Sequence, residues 1–230
     1  MSRLFTLAAH DARLQYRYGI YIAYAFVVAI YVLVLANAGP YLPSFAIGVI
    51  IYSDPAALGF FFLGALMMLE RAERVRTALA VAPISSADYL AAKVMTLGTV
   101  SLIACGVLLV VVHGAANPAL LLVAVALTSI CFIGIGVPVA LRFRTVNGYL
   151  IGAGALLTPI IGPAALALLD PQPAWLAVWP PVAQFRLILV ATGYGTASGS
   201  EIAVMLASCA AAAAAATWLA VVSLKPELGK

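Results

Sequence analysis

Six long apolar runs constrain this chain more than any other feature. They cover residues 19–37, 56–69, 89–112, 119–141, 149–169 and 202–224 of a 230-residue sequence. Crossing the hydrocarbon of a bilayer takes a helix of about 20 mostly apolar residues, and 56–69 is the run that falls clearly short. Because 65% of the residues are hydrophobic and 9% are charged, the sequence predicts an integral membrane protein. We expect an all-α, polytopic fold with six transmembrane helices in a single domain, 1–230.

The second run is short because a proline precedes it. Residues 42–52 are also apolar, but Ser53-Asp54-Pro55 separates them from 56–69. Proline breaks helices and restricts the residue before it. We therefore predict that 42–52 forms a short interfacial or re-entrant piece on the far side of the membrane.

Lysine and arginine predict the orientation, because cytoplasmic loops carry an excess of both. With both termini in the cytoplasm, Arg186 is the one basic residue among 12 that falls outside. The others are Arg3, Arg13, Arg17, Arg71, Arg74, Arg76, Lys93, Arg142, Arg144, Lys225 and Lys230. An error of one in the number of spans would scramble this asymmetry.

The segment before the first span is amphipathic. In residues 1–18, Leu4, Leu7 and Leu14 recur at helical spacing, with Arg13 and Arg17 among the polar positions. This pattern predicts an interfacial helix that lies along the membrane surface.

The longest external segment, 170–200, precedes the last span. It is rich in proline and carries Trp175 and Trp179. Its apolar part, 182–192, is too short to cross, and tryptophan favours the bilayer interface. We expect a re-entrant segment of one or two short helices that acts as an external gate.

Alanine occupies every position from 210 to 216 in the last span. Small residues allow helices to approach closely in lipid. The run therefore fits either a dimer face or close packing within one subunit.

A charged island lies between the second and third spans. Five of the seven residues from Glu70 to Arg76 are charged, in a chain that is otherwise poor in charge. Charges are costly in hydrocarbon, so we expect the island outside the membrane. Val75, Leu79 and Ala82 share one helical face, which predicts an amphipathic helix over 70–86. Such a helix fits either a solvated loop or a contact with a cytoplasmic partner.

The residues that several other functions require are not apparent in the sequence. We expect no ionisable group near the middle of any span, which argues against ion-coupled transport. No catalytic Ser/His/Asp or Cys/His set is apparent, and the phosphate-loop motif is missing. The basic residues are scattered, which argues against nucleic acid. His10 and His113 are isolated, so we assign no metal, and we expect no enzyme activity and no cofactor in this chain.

The order of these features resembles type-2 ABC exporter permeases. The second span ends in Glu70-Arg71, the island closes with Pro83-Ile84-Ser85, and Tyr89-Leu90-x-x-Lys93 opens the third span. In that family these motifs bracket the cytoplasmic coupling helix. Within it, the compact length and the stretch from Ser53 to Arg71 look most similar to bacterial fluoroquinolone-exporter-type drug export permeases.

The resemblance implies a permease subunit in the cell membrane of a bacterium. A separate ABC ATPase subunit would bind ATP and Mg, and would contact the coupling helix. The implied contacts are Glu70, Arg71, Glu73, Arg74, Val75, Leu79 and Pro83. The apolar walls favour a lipophilic or amphiphilic small-molecule cargo, carried by a homodimer or by a heterodimer with a sister permease, among membrane lipids.

Two alternatives remain open at this stage. A haem-exporter permease of cytochrome c maturation has a similar size and coupling segment. A membrane scaffold that transports nothing would share the hydropathy.

Overall fold

The computed structural model describes residues 3–38, 41–73, 75, 84–111, 115–169 and 173–228. Its α-helices are Arg3–Arg17, Ile20–Ala38, Phe45–Ala57, Leu63–Ala72, Ser86–Val111, Pro118–Leu141, Val146–Ile161, Pro180–Thr192 and Gly199–Leu224. A π-helical turn, Leu58–Phe62, joins the third and fourth of these, and short 3₁₀ helices cover Gly162–Leu168, Ala174–Val178 and Pro226–Leu228. The described residues contain no β-strand.

Six of these helical segments are long and apolar enough to span a membrane, as predicted. In order they are Ile20–Ala38, Phe45–Ala72, Ser86–Val111, Pro118–Leu141, Val146–Leu168 and Gly199–Leu224, called here the first to the sixth span. The all-α polytopic fold is therefore confirmed. Polar caps set several span ends: Asn117 accepts from the Leu120 amide, Thr145 accepts from the Gly148 amide, and Ser198 forms a capping box with Glu201.

The predicted break before the second span is wrong. Helix continues from Phe45 through Ser53, Asp54 and Pro55 to Ala72, so the supposed interfacial piece belongs to the N-terminal half of the span. Spans tolerate proline when other groups satisfy the freed backbone. The Ser53 hydroxyl donates to the Ile50 carbonyl at 2.8 Å, one residue before the Ile51 carbonyl that Pro55 leaves without its usual helical donor.

The π-helical turn that follows has a polar partner on another span. The Tyr149 hydroxyl of the fifth span donates to the backbone carbonyl of Phe60, which lies within the turn. Tyr149 and Phe60 are both fully buried. The pair fixes the irregular part of the second span against the fifth span.

Glycines allow the second, fourth and sixth spans to pack closely at the centre. A Cβ at Gly136 would lie 1.9 Å from the Gly59 carbonyl oxygen, and one at Gly134 would lie 2.7 Å from the Ala216 backbone. Close backbone approach is a common way for helices to associate in lipid.

Two of the alanines in 210–216 also pack within the subunit. Ala213 and Ala216 form a buried cluster with Cys131 of the fourth span. Ala210, Ala211, Ala214 and Ala215 are exposed. These four are the alanines of the run that a dimer face would use.

The N-terminal helix Arg3–Arg17 turns sharply into the first span. Gly19 has a φ of 70°, a left-handed conformation that side chains other than glycine rarely adopt. The helix packs against the third span through Asp11, Leu14 and Gln15, which are buried. Its position at the membrane surface stays a prediction.

Labelling of cysteines can test the orientation. The three native cysteines are buried, so new ones at exposed positions report selectively. We expect Thr196→Cys to react with an impermeant maleimide from outside, and Asn147→Cys to react only after the cells are opened. Both residues are exposed. Thr196 is a better position than Gly195, because a cysteine would be strained at the Gly195 φ of 89°. Protection of Thr196→Cys in intact cells would contradict both termini being cytoplasmic.

Candidate functional site: a buried ion cluster below the charged island

A lysine with two carboxylates forms the most unusual site of the bundle. Lys93 of the third span makes ion pairs with Asp11 of the N-terminal helix and with Glu70 at the end of the second span. All three side chains are buried, and Lys93 is 1% exposed. Charged residues are almost never buried unless they are paired. Through these ion pairs the cluster joins three elements that are distant in sequence.

Neutral side chains complete the hydrogen bonds of the cluster. Tyr89 donates to Glu70 at 2.5 Å, Thr96 donates to Asp11 at 2.6 Å, and Gln15 donates to Asp11 at 2.7 Å. Tyr89, Lys93 and Thr96 follow one another at helical spacing on one face of the third span. The carboxylates are thus held from more than one side.

The cluster carries a formal charge of −1, from two carboxylates and one ammonium group. Removing one partner of a buried ion pair typically costs about 3–5 kcal/mol, because the remaining charge is left unpaired. The arrangement therefore favours a fixed geometry for the three elements. The cluster also links the two ends of the segment 71–85, since Glu70 precedes that segment and its partners Tyr89 and Lys93 follow it.

Further contacts surround the cluster at the protein surface. Arg17 pairs with Glu73 at 2.7 Å, and both residues are exposed, so this pair contributes little stability. Arg71 donates to the Phe143 carbonyl at 3.4 Å, at the end of the fourth span. Burial, and then the neighbouring Glu73 carboxylate, raise the pKa of Tyr18 to about 12, so its hydroxyl stays neutral at physiological pH.

The residues predicted to contact the ATPase differ in their exposure. Arg71 and Glu73 are exposed, and Val75 is half-buried beside the ion cluster. Arg74, Leu79 and Pro83 lie outside the described residues. Glu70 is 1% exposed and points into the protein. Its expected position on the partner-facing surface is therefore wrong, because Lys93 and Tyr89 take up its carboxylate.

Asp54 is a buried polar site that the sequence analysis missed. It lies within the second span, is 2% exposed, and accepts hydrogen bonds from Tyr24 at 2.5 Å and Ser101 at 2.9 Å. The expectation that no span carries an ionisable group near its middle is thus wrong. The argument against ion-coupled transport loses that support. If the second span had been predicted to continue through Pro55, Asp54 would have stood out as a candidate site, because a carboxylate within a span is rare.

The external segment contains the expected short helices. Trp175 and Trp179 stack with ring centroids 6.4 Å apart, and both are exposed. The helix Pro180–Thr192 is mostly buried against the spans. Arg186 in this helix pairs with Glu201 of the sixth span at 3.3 Å, which ties the segment to that span. A gating role of the tryptophans stays a prediction.

These features define a multi-pass helical membrane protein with a charged segment braced by a buried ion cluster. The profile of the fluoroquinolones export permease protein family matches residues 2–226, and the chain belongs to this family.

Two relatives, one from each of two Mycobacterium tuberculosis strains, support this membership. They are the fluoroquinolones export permease proteins of CDC 1551 / Oshkosh and of H37Rv, each 30% identical to this chain over 132 residues. The matched region covers 57% of this chain and 53% of each relative, so it spans about half the length of these proteins. No solved structure matches the chain significantly.

Proposed function

We propose that the chain is the membrane-spanning subunit of an ATP-driven exporter of lipophilic or amphiphilic drug-like compounds. The match to an export permease family over residues 2–226 carries this proposal. The names of the two relatives suggest fluoroquinolones as the class of cargo. The apolar spans fit such a compound, because small-molecule sites are lined mainly by apolar and aromatic side chains.

In this proposal the chain itself carries out no chemistry. Two permeases, identical or paired with a sister chain, would bind two ABC ATPase subunits on the cytoplasmic face. ATP, with Mg, would bind to the ATPases, whose closure would move the segment 71–85. Hydrolysis would return the complex to its starting state. The cell would be bacterial, and both termini would be cytoplasmic.

The ion cluster supports a mechanical role for this segment. A displacement of 71–85 acts on Glu70 at one end and on Tyr89 and Lys93 at the other, and these three side chains are bonded to one another. Since Lys93 also pairs with Asp11, the N-terminal helix would move with them. The exposed Arg71 and Glu73 and the half-buried Val75 would face the ATPase, together with Arg74, Leu79 and Pro83. Trp175 and Trp179 would serve the external gate.

Stimulated hydrolysis tests the proposal directly. We expect the permease to co-purify with the ATPase encoded beside it, and a fluoroquinolone to raise ATP hydrolysis severalfold in liposomes. The reason is that cargo binding favours the conformation that the ATPases must reach. Parallel samples hold the ATPase alone, or an ATPase whose phosphate-loop lysine is replaced. Stimulation by haemin and not by the quinolone would favour haem export, and no association with an ATPase would favour a scaffold.

A further inference from the structure

A cavity of about 310 Å³ lies between the second, fourth, fifth and sixth spans and the short helix Pro180–Thr192. Its wall is mostly apolar, with Phe132 and Ile135 from the fourth span and Leu219 from the sixth. Pockets for drug-sized ligands begin at about 300 Å³. The space is therefore sufficient for a small, mostly apolar molecule.

Two polar groups in the wall have no oxygen or nitrogen hydrogen-bond partner among the described residues. They are the Tyr52 hydroxyl and the Gln184 amide nitrogen, which lies beside the weak acceptor of the Cys131 thiol, and each residue is 3% exposed. Buried polar groups in native proteins are nearly always paired, because an unpaired one forfeits its hydration. Both groups can donate a hydrogen bond. Neighbouring atoms cover both donors in the empty cavity, so they lie just behind its apolar wall, and a rotation of their side chains would turn them toward a ligand.

A larger groove of about 620 Å³ between the first and third spans and the N-terminal helix is a weaker candidate. Its Tyr24 and Thr96 hydroxyls are already used, since Tyr24 donates to Asp54 and Thr96 donates to Asp11, and its Tyr21 is only half-buried. A ligand would have to break these bonds to gain its own. The smaller cavity requires no such exchange.

We infer that the smaller cavity is a cargo site for a flat aromatic compound bearing a carbonyl or carboxylate oxygen. That oxygen would accept from Gln184 and Tyr52, and the rings of Tyr52 and Phe132 would contact the flat body. These rings lie 6.0 Å apart, edge to face. The inference rests on the proposed export function and names the chemistry of its cargo.

The position of Gln184 connects the site to the external segment. Gln184 lies in the short helix that begins just after Trp179 and that Arg186 ties to Glu201. A shift of this helix would withdraw one donor from the cavity. Release of the cargo would then accompany movement of the segment that carries the two tryptophans.

Binding to the purified permease, without ATPase, tests this site. The probe is ciprofloxacin, followed by its own fluorescence, with the decarboxylated analogue as the matched ligand. We expect Gln184→Leu and Tyr52→Phe each to weaken ciprofloxacin binding about five- to tenfold, since each removes one donor. The decarboxylated analogue should be less affected by both. Neither variant should melt at a lower temperature, because removing an unpaired buried donor leaves no other group unsatisfied.

Two further comparisons between variants locate the site. Ala215 is exposed at the cavity and Ala214 is exposed beside it but does not line it, so Ala215→Phe should weaken binding at least tenfold and Ala214→Phe should not. Tyr31→Phe also removes a tyrosine hydroxyl, one near Ser53 and away from the cavity, and should bind like the wild type.

Equal binding by all variants would overturn the site and leave the export proposal intact. Absence of saturable binding by the wild type would overturn it too. A lower melting temperature of Gln184→Leu would show that this group has a structural partner, and would also count against the site. If binding follows the expected pattern while hydrolysis is not stimulated, the site stands and the proposed function fails.

Discussion

Replacing Lys93 with methionine is expected to lower the free energy of unfolding by about 3–5 kcal/mol. The variant keeps the length of the side chain but leaves Asp11 and Glu70 buried without a counter-charge. For a chain of this length that loss corresponds to a drop on the order of 10 °C in the melting midpoint. Cys105, Cys131 and Cys209 are buried, so a thiol-reactive dye reports unfolding without any added label.

Two controls separate the cluster from a general effect of losing a lysine. Lys225→Met removes an exposed lysine and should melt like the wild type. Combining Lys93→Met with Asp11→Asn and Glu70→Gln neutralises the whole cluster and should recover most of the lost stability, because no unpaired charge remains. If Lys93→Met melted like the wild type, the buried ion pairs would contribute nothing to the fold.

Hydropathy predicted the number and order of the spans, because lipid requires an uninterrupted apolar helix at each crossing. It failed at Pro55, where a local rule about proline was applied without its exception in membranes. The close packing of Gly59 on Gly136 and the hydrogen bond from Tyr149 to the Phe60 carbonyl hold the helix just after that proline. These are tertiary contacts, which the local sequence does not report.

The site was harder to predict than the fold. The sequence identified Glu70 as a surface contact, Lys93 as a topology signal, and Tyr89 with Lys93 as the motif that opens the third span. Their mutual contacts across the base of the segment 71–85 became evident only in three dimensions. Asp11 carried no signal beyond its place in an amphipathic helix. Pairing of charges depends on how the helices pack, and no spacing rule gives the packing of non-adjacent helices.

The other large effect is expected from reversing two positive charges in the segment 71–85. We expect Arg71→Glu with Arg74→Glu to reduce ATPase co-purification, and drug export with it, at least about tenfold, because like charges would then face acidic groups on the ATPase. Arg71 is exposed, and its hydrogen bond to the Phe143 carbonyl is long, at 3.4 Å. The double variant should therefore insert and melt nearly like the wild type.

A matched reversal distinguishes a specific contact from a change in overall charge. Arg142 and Arg144 are also exposed and belong to the next loop predicted to be cytoplasmic, so Arg142→Glu with Arg144→Glu makes the same change in charge. We expect this pair to keep most of its ATPase association, since the resemblance assigns the contact to the segment 71–85. Equal loss in both double variants would point to a diffuse electrostatic attraction between permease and ATPase. Full association and export in the Arg71 and Arg74 variant would make the island a solvated loop, and the ion cluster beneath it would then stabilise the fold without transmitting movement.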